Sequence, residues 1–206
     1  MLDLEKEYYS DEINIIAGCD EAGRGCLCGP VIAAAVIFPK NYHNELINDS
    51  KKLTPKIREK LYEIILKDAL EVGVGIVEAQ EIDKINIYAA SRKAMLMALS
   101  QLNNKIDLVL TDAMPLKFND SRVEPIIKGD AKSLSIAAAS IIAKVTRDTI
   151  LDKYSFIYPK YEFDKHKGYC TKKHLEVIEK YGIIKGFYRE TYAPVRKVLY
   201  ENIKLF

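Results

Sequence analysis

The run Ile136-Ala137-Ala138-Ala139-Ser140-Ile141-Ile142-Ala143 limits the fold more than any other stretch of the chain. It lies in a helical segment, Ser133 to Asp148, and is apolar nearly all round, so no face of that helix suits water. Such a helix belongs in the middle of a fold, where small alanines let it approach a sheet closely. Ile13 to Cys19 and Val31 to Phe38 read as an antiparallel pair joined by a short turn, and Glu71 to Glu78, Asp107 to Thr111 and Val123 to Ile127 as further strands. Thr54 and Pro55 suit a helix start, after which Ile57, Leu61, Ile65 and Ala69 recur at helical spacing and predict an inward face. Ile87 to Leu102 reads as a substantially buried helix, and Thr171 to Tyr181 as a further helix. The class is α/β, a mixed central sheet flanked by helices.

A chain of 206 residues suits one structural unit with a sizeable core. Residues 1–153 are expected to form that core, and residues 154–206, richer in Tyr, Lys and His, a small, mainly helical C-terminal region packed on it. No apolar run approaches the roughly 18 residues of a membrane span. The start, Met-Leu-Asp-Leu-Glu-Lys-Glu, does not resemble a secretory signal, so a cytoplasmic location away from membranes is expected. The net charge of +2 hides the clusters Lys51-Lys52, Lys165-His166-Lys167 and Lys172-Lys173, which are ordinary surface unless they converge on a site. Cys19, Cys26, Cys28 and Cys170 lack paired Cys-x-x-Cys spacing and are expected as reduced thiols rather than zinc ligands.

Charge falls where core is expected. Asp20 and Glu21 close the first strand, Asp112 closes the fourth, and Asp130 stands ahead of the buried helix, near its positive end. Strand ends and helix starts of this kind meet at one end of an open α/β fold, where sites usually lie. Four carboxylates gathered there repel one another unless cations offset them, and an all-oxygen set suits Mg²⁺ or Mn²⁺. Two such ions can clamp a phosphodiester for in-line attack by water. Neighbouring strand residues face opposite ways, so Asp20 and Glu21 share a site only if the strand ends or bends there, which Gly23 and Gly25 make easy. Singly, Asp20 or Glu21 reads equally as an exposed turn acid and Asp130 as a helix cap; jointly they point to a site.

Gly23-x-Gly25-x-x-x-Gly29, followed by Asp49 at about twenty residues, has the outline of a dinucleotide fingerprint. It fails on spacing, with one residue too many, and on context, because the loop leads into a β-branched strand where a helix should start.

The run Asp20-Glu21-Ala22-Gly23-Arg24-Gly25-x-x-x-Gly29-Pro30-Val31 is followed in order by Asp49-Ser50-Lys51-Lys52-Leu53, Thr111-Asp112-Ala113 and Lys128-Gly129-Asp130-Ala131-Lys132. Ala138-Ala139-Ser140-Ile141-x-Ala143-Lys144-Val145-x-Arg147-Asp148 and His166-Lys167-Gly168-Tyr169-x-Thr171 complete the series. Together these motifs resemble the ribonuclease HII family, over most of the chain. The resemblance implies an RNase H-like fold and a Mg²⁺- or Mn²⁺-dependent endonuclease with two ions in its active complex. It implies action on RNA/DNA hybrids and on DNA duplexes containing ribonucleotides, cleaving on the 5′ side of a ribonucleotide to leave 3′-hydroxyl and 5′-phosphate ends. A monomer is expected. The sister ribonuclease HIII typically lacks the glycine-arginine-glycine element and carries an added N-terminal domain.

By the same resemblance Asp20, Glu21, Asp112 and Asp130 fall on the catalytic, metal-binding carboxylates. Gly23, Arg24 and Gly25 fall on the element that reads the ribose 2′-hydroxyl, and Tyr169 on the tyrosine that stacks beneath the neighbouring deoxyribose. Lys51, Lys128 and Lys144 are candidate phosphate contacts. Arg147 and Asp148 are expected to pair at the helix end; His166 reads as a proton relay, a support for the Tyr169 loop, or a surface residue. Cys26 and Cys28 depart from the small or variable residues of the family's turn, and altered packing and oxidation sensitivity are expected there. The stretch Glu201-Asn202-Ile203-Lys204-Leu205-Phe206 shows no clear sliding-clamp motif. A noncatalytic hybrid-binding module is the alternative, and the four acids argue against it.

Overall fold

A computed structural model of the chain describes residues 3–203, with side chains through residue 200. The terminal stretch 201–206, expected to lack a sliding-clamp motif, lies outside those side chains. The strands β1 (Ile16–Ala22), β2 (Val31–Ile37), β3 (Glu71–Val77), β4 (Leu108–Asp112) and β5 (Arg122–Ile126) form one sheet in the order β3-β2-β1-β4-β5. The pairs β1/β2 and β2/β3 are antiparallel, and β1/β4 and β4/β5 are parallel. Around the sheet lie α1 (Leu4–Tyr8), α2 (Pro55–Asp68), α3 (Ala79–Ile85), α4 (Ile87–Leu99), α5 (Leu134–Ile157), α6 (Phe163–His166), α7 (Lys172–Tyr181) and α8 (Ala193–Ile203).

β2 is buried along its whole length because both of its faces are covered. Ala33, Ala35 and Ile37 pack with Ala90, Ala94 and Ala98 of α4, whereas Ile32, Ala34 and Val36 pack with Ala137, Ile141 and Ile142 of α5. This is the period-two alternation of a strand between two helix layers. Small residues set how close those layers come. A Cβ on Gly73 or Gly75 would lie 2.1 or 2.0 Å from the carbonyl oxygens of Ala98 and Ala94, and one on Gly18 only 2.2 Å from the backbone of Ser135. The apolar run of α5 therefore lies where its sequence requires, with residues 136–143 all buried.

Several bounds differ from the sequence expectation for identifiable reasons. β1 starts at Ile16 rather than Ile13 because the backbone N–H groups of Asn14 and Ile15 donate to the Asp107 carboxylate. It then runs through both acids to Ala22, since Asp20 and Glu21 still pair with Ala34 and Ala33 of β2. α2 starts as expected, with Thr54 accepting from the Ile57 N–H and Pro55 in the first turn. Leu61 and Ile65 face inward, but Ile57 is exposed, because Arg58 rather than apolar contact ties that turn down, donating to the carbonyls of Ser50 and Leu53. α3 was not expected, and α4 stops at Leu99. α5 continues past Asp148 to Ile157, through the expected 153/154 boundary, and buries Leu151 against Leu27, Phe163, Ile178 and Tyr188. Among the described residues, no helix is long and apolar enough to cross a membrane.

Candidate active site

Strand register brings the acids together. Cys19 pairs with Thr111 across the parallel β1/β4 junction, so Asp20 and Asp112 follow side by side at the same end of the sheet. Asp112 accepts a 2.8 Å hydrogen bond from the Gly129 N–H, which ties the strand end to the Gly129–Ala131 turn that carries Asp130. Carboxylate oxygens of Asp20, Asp112 and Asp130 all lie within 4.8 Å of one another. Asp130 does not sit at the positive end of α5. Those N–H groups are taken by Ser133, which caps Ile136, and by Glu5 of α1, which accepts from the N–H groups of Leu134 and Ser135 and from both serine hydroxyls.

Glu21 lines a cleft together with Asp20 but stands outside this trio, because β1 neither ends nor bends before it. Its Oε1 accepts from Arg24 at 3.2 Å, and its buried Oε2 has no hydrogen-bond partner. Burial first, then repulsion from Glu21 and Asp112, holds the Asp20 carboxyl well above its ordinary proton affinity. Glu21 is raised by burial against the pull of Arg24, and Asp112 by burial against the Gly129 N–H. Lys51, on the turn after Asp49, lies 3.3 Å from Asp130 and is the cation nearest the trio in these contacts. A buried oxygen without a partner beside three crowded carboxylates is a donor set that fits hard divalent cations such as Mg²⁺ or Mn²⁺.

The cleft, about 230 Å³, is also lined by Gly23, Arg24, Lys51, Lys144 and Tyr169. Lys144 stands with its ammonium 5.2 Å from the Tyr169 ring centroid. Lys128 is exposed on a left-handed turn residue and does not line the cleft. Gly23 has φ +97°, and a Cβ there would meet Arg147 Nε at 2.2 Å; a Cβ on Gly25 would meet nothing within 4 Å. The glycine loop leads into β2, not a helix, so the dinucleotide outline is a coincidence of spacing.

Arg147 and Asp148 do not pair. Asp148 accepts from Lys144 at 2.8 Å, while the fully buried Arg147 donates to the carbonyls of Cys28, Pro30 and Lys167. A second buried guanidinium, Arg189, holds the carbonyls of Gly29 and Arg24. Sequence reading missed Arg189, since nothing in its neighbours marks it as internal. His166 is buried, not a surface residue, with Nδ1 accepting from the Gly168 N–H. Cys26 and Cys28 are buried with raised thiol pKa, chiefly through burial, which removes the expected oxidation sensitivity. Among the described residues, the grouping of three or more acidic, Cys or His side chains close enough to hold a metal ion is the aspartate trio.

The family model described as Ribonuclease HII matches residues 17–195, which takes in all of these positions. The chain belongs to the ribonuclease HII family. Curated ribonuclease HII of Caldanaerobacter subterraneus is 51% identical over 195 residues, covering 95% of this chain and 80% of its own. That of Bacillus subtilis is 50% identical over 196 residues, 95% of this chain and 76% of its own. The crystal structure of ribonuclease H2 from Pyrococcus horikoshii superposes with a TM-score of 0.80 at 28% identity, covering 92% of this chain and 99% of the other. The fold is RNase H-like. As a ribonuclease HII the chain is an endonuclease that hydrolyses RNA in hybrids and depends on a divalent metal, and the aspartate trio is the group of its described residues fit to hold one.

Proposed function

We propose that this ribonuclease HII cleaves on the 5′ side of ribonucleotides, in RNA/DNA hybrids and at single ribonucleotides within duplex DNA, leaving 3′-hydroxyl and 5′-phosphate ends. The observation that carries the reading is the convergence of Asp20, Asp112 and Asp130 within 4.8 Å from three separate elements. Asp20, Asp112 and Asp130 would hold Mg²⁺ or Mn²⁺, two ions in the active complex. When bound, the ions supply an activated water and stabilise charge on the phosphate and on the leaving 3′-oxygen.

The chain's own groups do the rest. Glu21, with its unpartnered Oε2 and raised proton affinity, orients the attacking water or completes the ligand set. Gly23, Arg24 and Gly25 bring backbone groups to the 2′-hydroxyl, the group that separates RNA from DNA. The open space at Gly25 supports this, because no packing inside the protein calls for a glycine there. Lys51 and Lys144 line the cleft and contact phosphates, whereas Lys128, outside it, reaches the backbone only farther along the duplex. The Tyr169 ring, 44% exposed, packs beneath the deoxyribose next to the ribonucleotide. The chain acts as a monomer.

Asp20→Asn and Asp112→Asn are expected to lower metal-dependent cleavage by about a hundredfold or more. Near wild-type rates in either variant would overturn the assignment.

A further inference from the structure

Behind Tyr169 lies a buried pair of imidazoles that the cleavage chemistry does not use. His166 and His174 stack with ring centroids 3.8 Å apart and planes 13° from parallel, and the Phe163 ring stands nearly perpendicular to both. His174, fully buried, places Nδ1 2.9 Å from the Tyr169 carbonyl and Nε2 2.8 Å from the Tyr188 hydroxyl. A carbonyl only accepts, so His174 carries its proton on Nδ1 and accepts from Tyr188 through Nε2. His166 is the opposite tautomer. Its Nδ1 accepts from the Gly168 N–H at 3.1 Å, which leaves Nε2–H to donate to the Tyr161 carbonyl at 2.9 Å.

Every backbone polar group of Gly168 and Tyr169 is thereby held. The Tyr169 N–H donates to the His166 carbonyl, and the Tyr169 carbonyl accepts from both Thr171 N–H and His174. The Gly168 carbonyl accepts from the Leu27 N–H, which joins this turn to the loop that carries Gly23 to Gly25. His174 sits in the first turn of α7, where its own N–H is fixed by the Thr171 hydroxyl. The only free part of Tyr169 is the ring in the cleft, so its placement is set by what grips its backbone.

We propose that His174, braced by its stack on His166, is a positioning residue that fixes Tyr169 against the sugar next to the scissile ribonucleotide. This rests on the reading of Tyr169 given above. A ring displaced by about 1 Å would lose the fit that distinguishes deoxyribose from ribose, while the carboxylates remain in place.

The test compares kcat/KM on a DNA duplex with one ribonucleotide and on a continuous RNA/DNA hybrid, and follows the ratio of the two. His174→Asn keeps an amide N–H where Nδ1 stood and loses the Tyr188 partner; His174→Gln keeps the Tyr188 partner and loses the donor to Tyr169. The ratio is expected to fall about tenfold in H174Q and to stay within about threefold of wild type in H174N. A wild-type ratio in H174Q, or an equal fall in both variants, overturns the inference, whatever happens to the melting temperature. Tyr169→Ala separates the layers. An unchanged ratio there overturns the reading of Tyr169 and this inference with it, whereas a changed ratio with H174Q unaffected overturns this inference alone. Ring ¹⁵N NMR of the wild-type protein needs no variant. The expected tautomers are Nδ1–H on His174 and Nε2–H on His166, and Nε2–H on His174 contradicts the proposal.

Discussion

The Arg147 guanidinium fills the space beneath Gly23, with Nε 2.2 Å from where a Cβ of residue 23 would stand. The arginine is fully buried, and the acceptors bonded to it are backbone carbonyls of the following loop and of Lys167. A buried cation held by carbonyls alone keeps its position only if all of them stay in place. The glycine loop is thus rigid from below and open to the cleft above.

That arrangement separates two glycines that look alike in the sequence. Gly23→Ala must displace Arg147 and hold alanine at φ +97°, so it is expected to destabilise the protein by about 3 kcal/mol. Gly25→Ala meets no protein atom within 4 Å, and its stability is expected to stay within about 0.5 kcal/mol of wild type while cleavage at a single ribonucleotide falls sharply. Urea melts and cleavage assays of both variants check this. A stable, inactive G23A with an active G25A would reverse the assignment.

Crowding of the acids predicts a gain from removing one. Asp112 is raised by burial, with Asp130 adding repulsion, and an asparagine there can still accept from the Gly129 N–H. In EDTA, Asp112→Asn is expected to raise stability by about 1 kcal/mol. With saturating Mg²⁺ the order should reverse, because the wild type alone gains the full binding energy of the metal. A fall in melting temperature for the variant in EDTA would contradict the clustered site.

The imidazole pair gives a pH dependence with a definite sign. His174 is pushed down to about 4, by burial first and by His166 second, and His166 is lowered chiefly by burial while Glu162, Asp164 and Lys173 face it. Well above pH 6.5, the ordinary imidazole value, both rings are neutral folded or unfolded, and they contribute no slope. As pH falls from there towards 4, the unfolded chain binds protons that the folded one refuses, so stability is lost. The raised carboxyls of Asp20, Glu21 and Asp112 act in the opposite sense, the folded chain taking up protons first. The histidine contribution is therefore read as a difference. Between about pH 7 and pH 5, wild type should lose about 1 to 2 kcal/mol more than H174N in denaturant melts. Equal losses would contradict a lowered proton affinity of His174 in the fold.

The sheet, the central helix and the convergence of Asp20, Asp112 and Asp130 were legible because each leaves a local trace. A continuous apolar run marked β2, an unbroken apolar surface marked α5, and an acid at the end of an apolar run marked Asp112. What stayed hidden depends on polar groups far apart in the chain. Glu5 caps α5 from 128 to 130 residues away, Arg189 reaches Arg24 across 165, and His174 meets Tyr188 inside the fold. Such pairs have no period and no composition signal. Ile57 misled for the related reason that helical spacing gives a face, not what covers it. The parity of Asp20 and Glu21 was read correctly, but the strand kept its pairing and left Glu21 outside the trio.

Cleavage mapping on a DNA duplex with a single ribonucleotide, in Mg²⁺ and in Mn²⁺, tests the central claim most directly. The expected result is one nick on the 5′ side of the ribonucleotide, with a 3′-hydroxyl that a polymerase extends and a 5′-phosphate on the ribonucleotide, lost in Asp20→Asn. A cut on the 3′ side, or cleavage only of continuous hybrid, would contradict it.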